Sequence, residues 1–503
     1  MKTLFKKMIA SLLVLTLMIG GSFALSYVNP AAQAITTDNT WSGSAPKYVF
    51  LFIGDGMSYP QFTAASDYLG AVASEGKKVE SKNLGFTEFP VTGSAMTFDS
   101  SSFCPDSAST ATSISTGFKT LSGVINMDEQ KSIAYETISE KLKKQKGYKV
   151  GVISSVPINH ATPAAFYAHQ ASRNNYYDIA LELVNSDFDY FGGGGFLQQT
   201  GKASDKKDIL EIAKEKGYTV ANTKESILGL TAASGKVIAI NPELVGSALP
   251  YEIDRKAGEL SLADFTRKGI DTLYNETGFF MMVEGGKIDW ACHANDAMAS
   301  IKDTIAFNDA VSEAVKFYEK YPDDTLIIVT GDHETGGLTI GFAGTKYGTY
   351  LDNLSNQDSS YEVFDKSIET YRTNKTPFET VLKDIKAQFG LMTQTDVDAS
   401  KNAEMVLSDY EYKKLKSAYD MSMIAKADRK TGEEEYLLYG GYEPLSIAVT
   451  HLLNNKSGIG WTSYSHTGVP VAVFANGKGS HLFNGYYDNT DLFVKLKALT
   501  NVK

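Results

Sequence analysis

Seven histidines occur in 503 residues, and three of them, two beside acids, draw the eye. His293 follows Asp289 by four positions, with Trp290, Ala291 and Cys292 between. His333 lies in Gly331-Asp332-His333-Glu334, and His466 precedes an apolar run. Asp55 sits between Gly54 and Gly56 after another apolar run, and Glu284 closes a further one. Neutral imidazole with carboxylate oxygen suits Zn²⁺, whereas carboxylates with a hydroxyl suit Mg²⁺. One acid after an apolar run would be an ordinary turn residue; several such ends together point to metal chemistry. A nucleophile is also on offer. Asp106-Ser107-Ala108 opens a helical run, Ser107–Thr116, that stops at Gly117. Asp106 has the chemistry of an N-cap and Gly117 that of a residue just past a helix end. Ser107 then occupies the positive end of a helix dipole, which favours an alkoxide or a phosphate, and a neighbouring metal would complete its activation.

These side chains must be delivered by the elements around them. Lys47–Gly54 (KYVFLFIG) is short, almost continuously apolar and ends in glycine, as a strand buried on both faces does. Similar runs recur at Tyr148–Ser155, Lys236–Ile240, Phe279–Glu284, Thr325–Thr330 and Val469–Phe474. From Ala294 to Tyr318 the residues Met298, Ile301, Ile305, Val311, Val315 and Tyr318 form one apolar stripe of a long helix. Strands alternating with helices predict an α/β fold, a three-layer αβα arrangement around a mostly parallel sheet, in which ligands bind beyond the carboxyl ends of the strands. Residues 336–460 break that rhythm and read as an insertion rimming the core, with helical stretches at Pro377–Phe389 and Pro444–Leu453.

Composition narrows the function. With 43% hydrophobic and 21% charged residues the chain is globular, and its net charge of −11 argues against a broad grip on nucleic acid. An anionic substrate would have to be held by local cations. Residues 1–34 read as an export signal: Lys2, Lys6 and Lys7, an uncharged stretch from Met8 to Leu25, then Ala32-Gln33-Ala34 as the cleavage site. Residues 35–503 are expected to form the exported catalytic domain, secreted or periplasmic, without stable membrane association. Two cysteines, Cys104 and Cys292, make no disulfide framework, and pairing or burial are both open to them.

The segments FIGDGMS (Phe52–Ser58), DSASTATSISTG (Asp106–Gly117), HATPAAFYAHQASR (His160–Arg173), MVEGGKIDWACHAND (Met282–Asp296), VTGDHETGG (Val329–Gly337) and SHTGVPV (Ser465–Val471) closely resemble the alkaline phosphatase family, in the family's order. The resemblance implies that family's fold, with a crown-like inserted rim, and a site of two Zn²⁺ and one Mg²⁺. Asp289, His293 and His466 resemble the ligands of the first zinc; Asp332, His333 and Asp55 those of the second, with Ser107 as nucleophile. Asp55 would bridge to the Mg²⁺ site, completed by Thr162 and Glu284. Arg173 matches the arginine that clamps phosphoryl oxygens, a task for its planar fork. Two positions depart from the best-known bacterial members. His160 replaces an acid beside the third site, which it would ligate or crowd. Trp290 replaces a lysine, which implies weaker phosphate binding and faster product release.

What the resemblance implies is hydrolysis of small phosphate monoesters through a phosphoserine, by a homodimer whose activity rises toward alkaline pH. Two kinds of alternative stand beside it. One is a phosphodiesterase or sulfatase of the same superfamily, although Cys104-Pro105-Asp106-Ser107 does not fit the sulfatase pattern. The other is a non-catalytic surface protein that binds metal or phosphate.

Overall fold

The computed structural model describes residues 41–503; the expected export signal lies outside the described residues. One ten-stranded sheet organises the chain. Its strands are β1 (Tyr48–Gly54), β2 (Val91–Met96), β3 (Lys149–Ser154), β4 (Tyr190–Gly193), β5 (Tyr218–Ala221), β6 (Lys236–Ile240), β7 (Phe279–Glu284), β8 (Thr325–Gly331), β9 (Val471–Gly477) and β10 (Gly485–Asp488). Across the sheet they run β10-β2-β9-β8-β1-β7-β3-β4-β6-β5. Alternate residues of the central strands feed two separate cores, as a pleat requires. Phe50, Phe52, Met281 and Val283 enter one, while Val49, Leu51, Ile53, Phe280 and Met282 enter the other.

The principal helices are α1 (Tyr59–Ala73), α2 (Ser107–Thr116), α3 (Ile138–Lys146), α4 (Tyr176–Asn185), α5 (Leu262–Leu273), α6 (Lys287–His293), α7 (Ala297–Tyr318), α8 (Tyr361–Asn374), α9 (Phe378–Phe389), α10 (Asp409–Ser422), α11 (Pro444–Ser457) and α12 (Thr490–Thr500). Buried residues of α1, α5 and α7 join the first core, and those of α2, α3, α4 and α12 the second. The fold is thus the three-layer α/β arrangement that the sequence predicts. The long helix α7 starts at Ala297, three residues later than its apolar stripe suggests. Asp296 takes the free Ala299 N–H at 3.1 Å and sets the boundary there.

Two short strands pair antiparallel at the foot of the rim region, Thr339 with Gly460 and Ile340 with Ile459. Between them α8 to α11 bury Phe364, Val381, Leu415 and Leu445 in the same core as α1 and α7. Among the described residues no helix is long and apolar enough to cross a membrane.

Strand direction matters most for the site. β1, β3, β7 and β8 are parallel and in register, with Ile53 and Ser154 both opposite Glu284 and Gly54 opposite Gly331. Their carboxyl ends therefore share one edge. The strand expected at Val469–Phe474 begins at Val471 and runs antiparallel to both neighbours, β8 and β2; every other adjacent pair is parallel. That reversal brings the amino end of β9, and His466 just before it, to the edge where β1, β7 and β8 end.

Candidate active site

Helix α2 is built as its sequence suggests. The Asp106 carboxylate accepts the Ser109 N–H at 3.1 Å, and Gly117 closes the helix in the left-handed region at φ 78°. All ten residues are buried, and several hydroxyls, such as those of Ser113 and Thr116, return to carbonyls of the preceding turn. Ser107, the first helical residue, lies with its Oγ 3.1 Å from His333 Nε2 and 3.4 Å from Asp55 Oδ1.

Around it stand two groups of three ligand-type residues, Asp289 with His293 and His466, and Asp55 with Asp332 and His333. Within each group the ligand atoms lie within 4.8 Å of one another. The two groups touch, because the His333 and His466 rings stack at 3.7 Å between centroids. Gly56 makes this crowding possible: its φ is 70°, its N–H donates to Asp332 Oδ1 at 3.1 Å, and a Cβ there would meet Asp289 Cα at 2.8 Å.

The imidazoles are oriented from outside. His293 Nδ1 contacts the Tyr464 carbonyl at 2.6 Å and His466 Nδ1 the Pro105 carbonyl at 2.5 Å, so both nitrogens carry protons. Thr335 donates its hydroxyl hydrogen to Asp289 Oδ1 at 2.6 Å and can only accept from His333 Nδ1 at 3.2 Å. All three Nε2 atoms consequently face inward, the orientation that a ligating histidine needs. His293 Nε2 and His466 Nε2 are only 3.1 Å apart. Against the effect of burial, the Asp289 charge raises the His293 pKa to about 9.

The carboxylates make the same point. Burial, with the charges of Asp332 and Asp289, pushes Asp55 well above the usual range, and burial also raises Asp332 and Glu284. Asp289 goes the other way: burial opposes its ionisation, but His293, His466 and His333 outweigh that and hold it well below the ordinary value. So many buried acids want positive charge that the side chains alone do not supply. Thr162 Oγ1 donates to Asp55 Oδ2 at 3.2 Å, Ser154 donates to Glu284 Oε2, and Glu284 Oε1 is buried with no hydrogen-bond partner among the described residues. This donor set of hard oxygens around an orphaned carboxylate oxygen suits Mg²⁺.

Arg173 Nη1 donates to Asp106 Oδ2 at 2.9 Å, and Nη2 lies 3.3 Å from His160 Nε2. Burial, followed by the Arg173 charge, lowers the His160 pKa to about 3, so His160 is neutral and accepts from the guanidinium. Trp290 meets the His160 ring edge-on, 5.8 Å between centroids. Every residue singled out from sequence for the site therefore gathers at one sheet edge.

Sequence reasoning missed Thr335, although it lies two residues after His333 in the same motif. It also missed Thr110, one helical turn after Ser107, whose Oγ1 donates to Asp332 Oδ2 at 3.1 Å. Asp106 was legible as a cap but not as the partner of Arg173. Glu334 is saturated structurally, accepting from Gln61, Gly337, Leu338 and Thr467. Cys104 is exposed and Cys292 buried, and both are free.

Fold and site together define an α/β protein with two polar ligand clusters and a serine beyond the carboxyl ends of a parallel sheet. The alkaline phosphatase family profile matches residues 46–502. Alkaline phosphatase 3 of Bacillus subtilis (strain 168) is 32% identical over 481 residues, covering 91% of this chain and 90% of its own. The crystal structure of a cold-active alkaline phosphatase from the psychrophile Shewanella sp. superposes with a TM-score of 0.72 at 29% identity, covering 90% of this chain and 99% of that one. A histidine-to-glutamate mutant of the TAB5 alkaline phosphatase, solved with Mg bound in its M3 site, gives a TM-score of 0.61 at 26% identity, covering 92% and 99%. The chain belongs to the alkaline phosphatase family and is an enzyme.

Proposed function

We propose that the protein hydrolyses phosphate monoesters to an alcohol and inorganic phosphate, with Ser107 as the nucleophile and a phosphoserine as the intermediate. The observation that carries this reading is the placement of Ser107 Oγ at the first turn of α2, within 3.4 Å of both His333 and Asp55. Asp289, His293 and His466 would hold one Zn²⁺, Asp55, Asp332 and His333 the second, and Asp55, Thr162 and Glu284 a Mg²⁺. When bound, these ions supply Lewis acidity that neutralises the phosphoryl charge and lowers the pKa of the attacking and leaving oxygens.

The chain's own residues do the rest. The free N–H groups and dipole at the start of α2 favour negative charge on Ser107 Oγ and on the phosphoryl oxygens. Arg173, held at one nitrogen by Asp106 and at the other by His160, presents its fork to two of those oxygens without having to search for them. Neutral His160 leaves the guanidinium charge undiminished. Trp290 offers no ammonium to the phosphate, so the product is held only by the start of α2, Arg173 and the metal sites and leaves readily. Thr110 and Thr335 fix the carboxylates of Asp332 and Asp289 by hydrogen bonds. Export to the periplasm or medium and assembly as a homodimer belong to the same reading.

Metal analysis joined to turnover tests it. The loaded protein should cleave nitrophenyl phosphate orders of magnitude faster than bis-nitrophenyl phosphate or nitrophenyl sulfate. Ser107→Ala should remove most turnover while leaving the zinc content intact. A fully loaded wild type without turnover between pH 7 and 11 sinks the proposal, and faster cleavage of the diester or sulfate reassigns it within the superfamily.

A further inference from the structure

Lys287 opens α6 and its side chain is wholly buried, with 0% exposure. Elementary electrostatics disfavours that placement twice. An ammonium in the first turn faces the positive end of the helix dipole, and burial strips its water. Compensation comes from three sides. Lys287 Nζ lies 3.5 Å from the centroid of the Tyr251 ring, 5.0 Å from that of Trp290, and 3.4 Å from Glu362 Oε2. Burial lowers the Lys287 pKa, and the carboxyl groups of Glu362, Asp303 and Asp254 oppose that shift. Glu362 belongs to the first turn of α8, within the rim region.

The contacts continue toward the phosphate clamp. Trp290, three residues on along α6, puts its indole edge-on to His160; His160 Nε2 accepts from Arg173 Nη2; Arg173 Nη1 holds Asp106 at the cap of the nucleophile's helix. An unbroken series of side chains therefore runs from Glu362 through Lys287, Trp290 and His160 to the guanidinium. A desolvated ammonium over an aromatic face is a strong orienting contact, and Lys287 is the one residue in the series that grips both the rim and the indole.

We propose that Lys287 is a positioning residue: anchored by Glu362, it fixes the Trp290 indole, which through His160 sets the orientation of Arg173 and hence the affinity for the phosphoryl group. This rests on the phosphomonoesterase reading. A lysine that merely neutralised nearby acids would influence stability and nothing else.

A double-mutant cycle on the metal-loaded protein separates the two roles, with inorganic phosphate as the probe, followed both as a competitive inhibitor and by calorimetry. Lys287→Met and Trp290→Leu should each change the phosphate Kd by about three- to tenfold, and the double variant should differ from the larger single effect by less than about twofold. Lys287→Arg, which keeps the charge, should recover most of the affinity. Glu362→Gln should give a smaller change of the same sign, and it reads the link independently should Lys287→Met fail to fold. Multiplying effects in the cycle, or a lowered melting temperature with unchanged phosphate Kd, overturns the proposal. A wild type that turns over while Lys287→Met and Glu362→Gln bind phosphate normally refutes the link alone. A wild type with neither turnover nor phosphate binding refutes the functional reading and the link with it.

Discussion

His169 provides a stability switch whose sign and size follow from its surroundings. It lies four residues before Arg173, between α3 and α4. Its Nδ1 is 3.3 Å from Glu182 Oε2, its Nε2 is 3.4 Å from Glu140 Oε2 and 3.1 Å from the Tyr135 carbonyl, and its N–H donates to Glu182. Burial would lower its pKa, but the hydrogen bonds and charges of Glu140 and Glu182 win and raise it from 6.5 to about 9. At about 1.4 kcal/mol for each tenfold change in proton affinity, the charged form stabilises the fold by about 3 kcal/mol, or about 2 after solvent screening of the half-buried ring. Because the folded pKa is the higher one, this stabilisation is complete below pH 6.5 and disappears as pH rises through about 9. Thermal unfolding of the metal-loaded wild type and of His169→Gln at a series of pH values isolates it, since other titrations cancel in the difference. For a chain of this length an unfolding entropy near 2 cal/mol/K per residue converts 2–3 kcal/mol into about 2–3 °C. The wild type should melt that much higher at pH 6, and the two curves should meet near pH 10. A gap that stays constant or widens toward alkaline pH refutes the electrostatic account. The reaction proposed here favours the alkaline range, so this contact would weaken where turnover is fastest.

Further expectations concern the groups that hold the site in shape. Asp106→Ala removes both the cap of α2 and the brace on Arg173, and should lower stability by about 2 kcal/mol and phosphate affinity by about tenfold. Asp106→Asn, which can still cap, should keep most of the stability but not the affinity; titration with phosphate and denaturant checks both. Gly117→Ala forces a side chain into φ 78° with its Cβ 2.6 Å from Phe493 Cδ1, and should cost about 1–3 kcal/mol in an unfolding assay. Glu334→Gln turns an amide toward four donors and should cost about 2–3 kcal/mol. Because Thr467, one of those donors, adjoins His466, zinc should also be lost at lower chelator concentration, as metal analysis after dialysis would register.

Much of this site could be read before any coordinates because its chemistry sits on uninterrupted local patterns. Asp106, Ser107 and Gly117 announce a helix with both ends marked, and the structure has the helix there. The buried strands β1, β3, β6, β7 and β8 are written as apolar runs, and Glu284 ends β7 while Asp55 and Asp332 directly follow β1 and β8. What escaped was decided by partners far along the chain. β4 (YFGG), β5 (YTVA) and β10 (GYYD) are four residues each, too short and too glycine- or tyrosine-biased for a period to register, and β2 shows only a weak alternation. Nothing in VAVFANG states that the strand runs backwards, yet that reversal lets a residue preceding β9 meet residues that follow β1, β7 and β8. Lys287 shows the limit most plainly. In sequence it is one lysine in a helical stretch, a residue type that ordinarily lies in water. Only the fold reveals that Glu362, 75 positions away, and two aromatic rings hold it in the interior. Local pattern specifies which groups can react, and long-range packing specifies how firmly they are aimed. The second property is the one that the proposed link from Glu362 to Arg173 would govern, and the segments that contain Lys287, Trp290 and His160 do not spell it out.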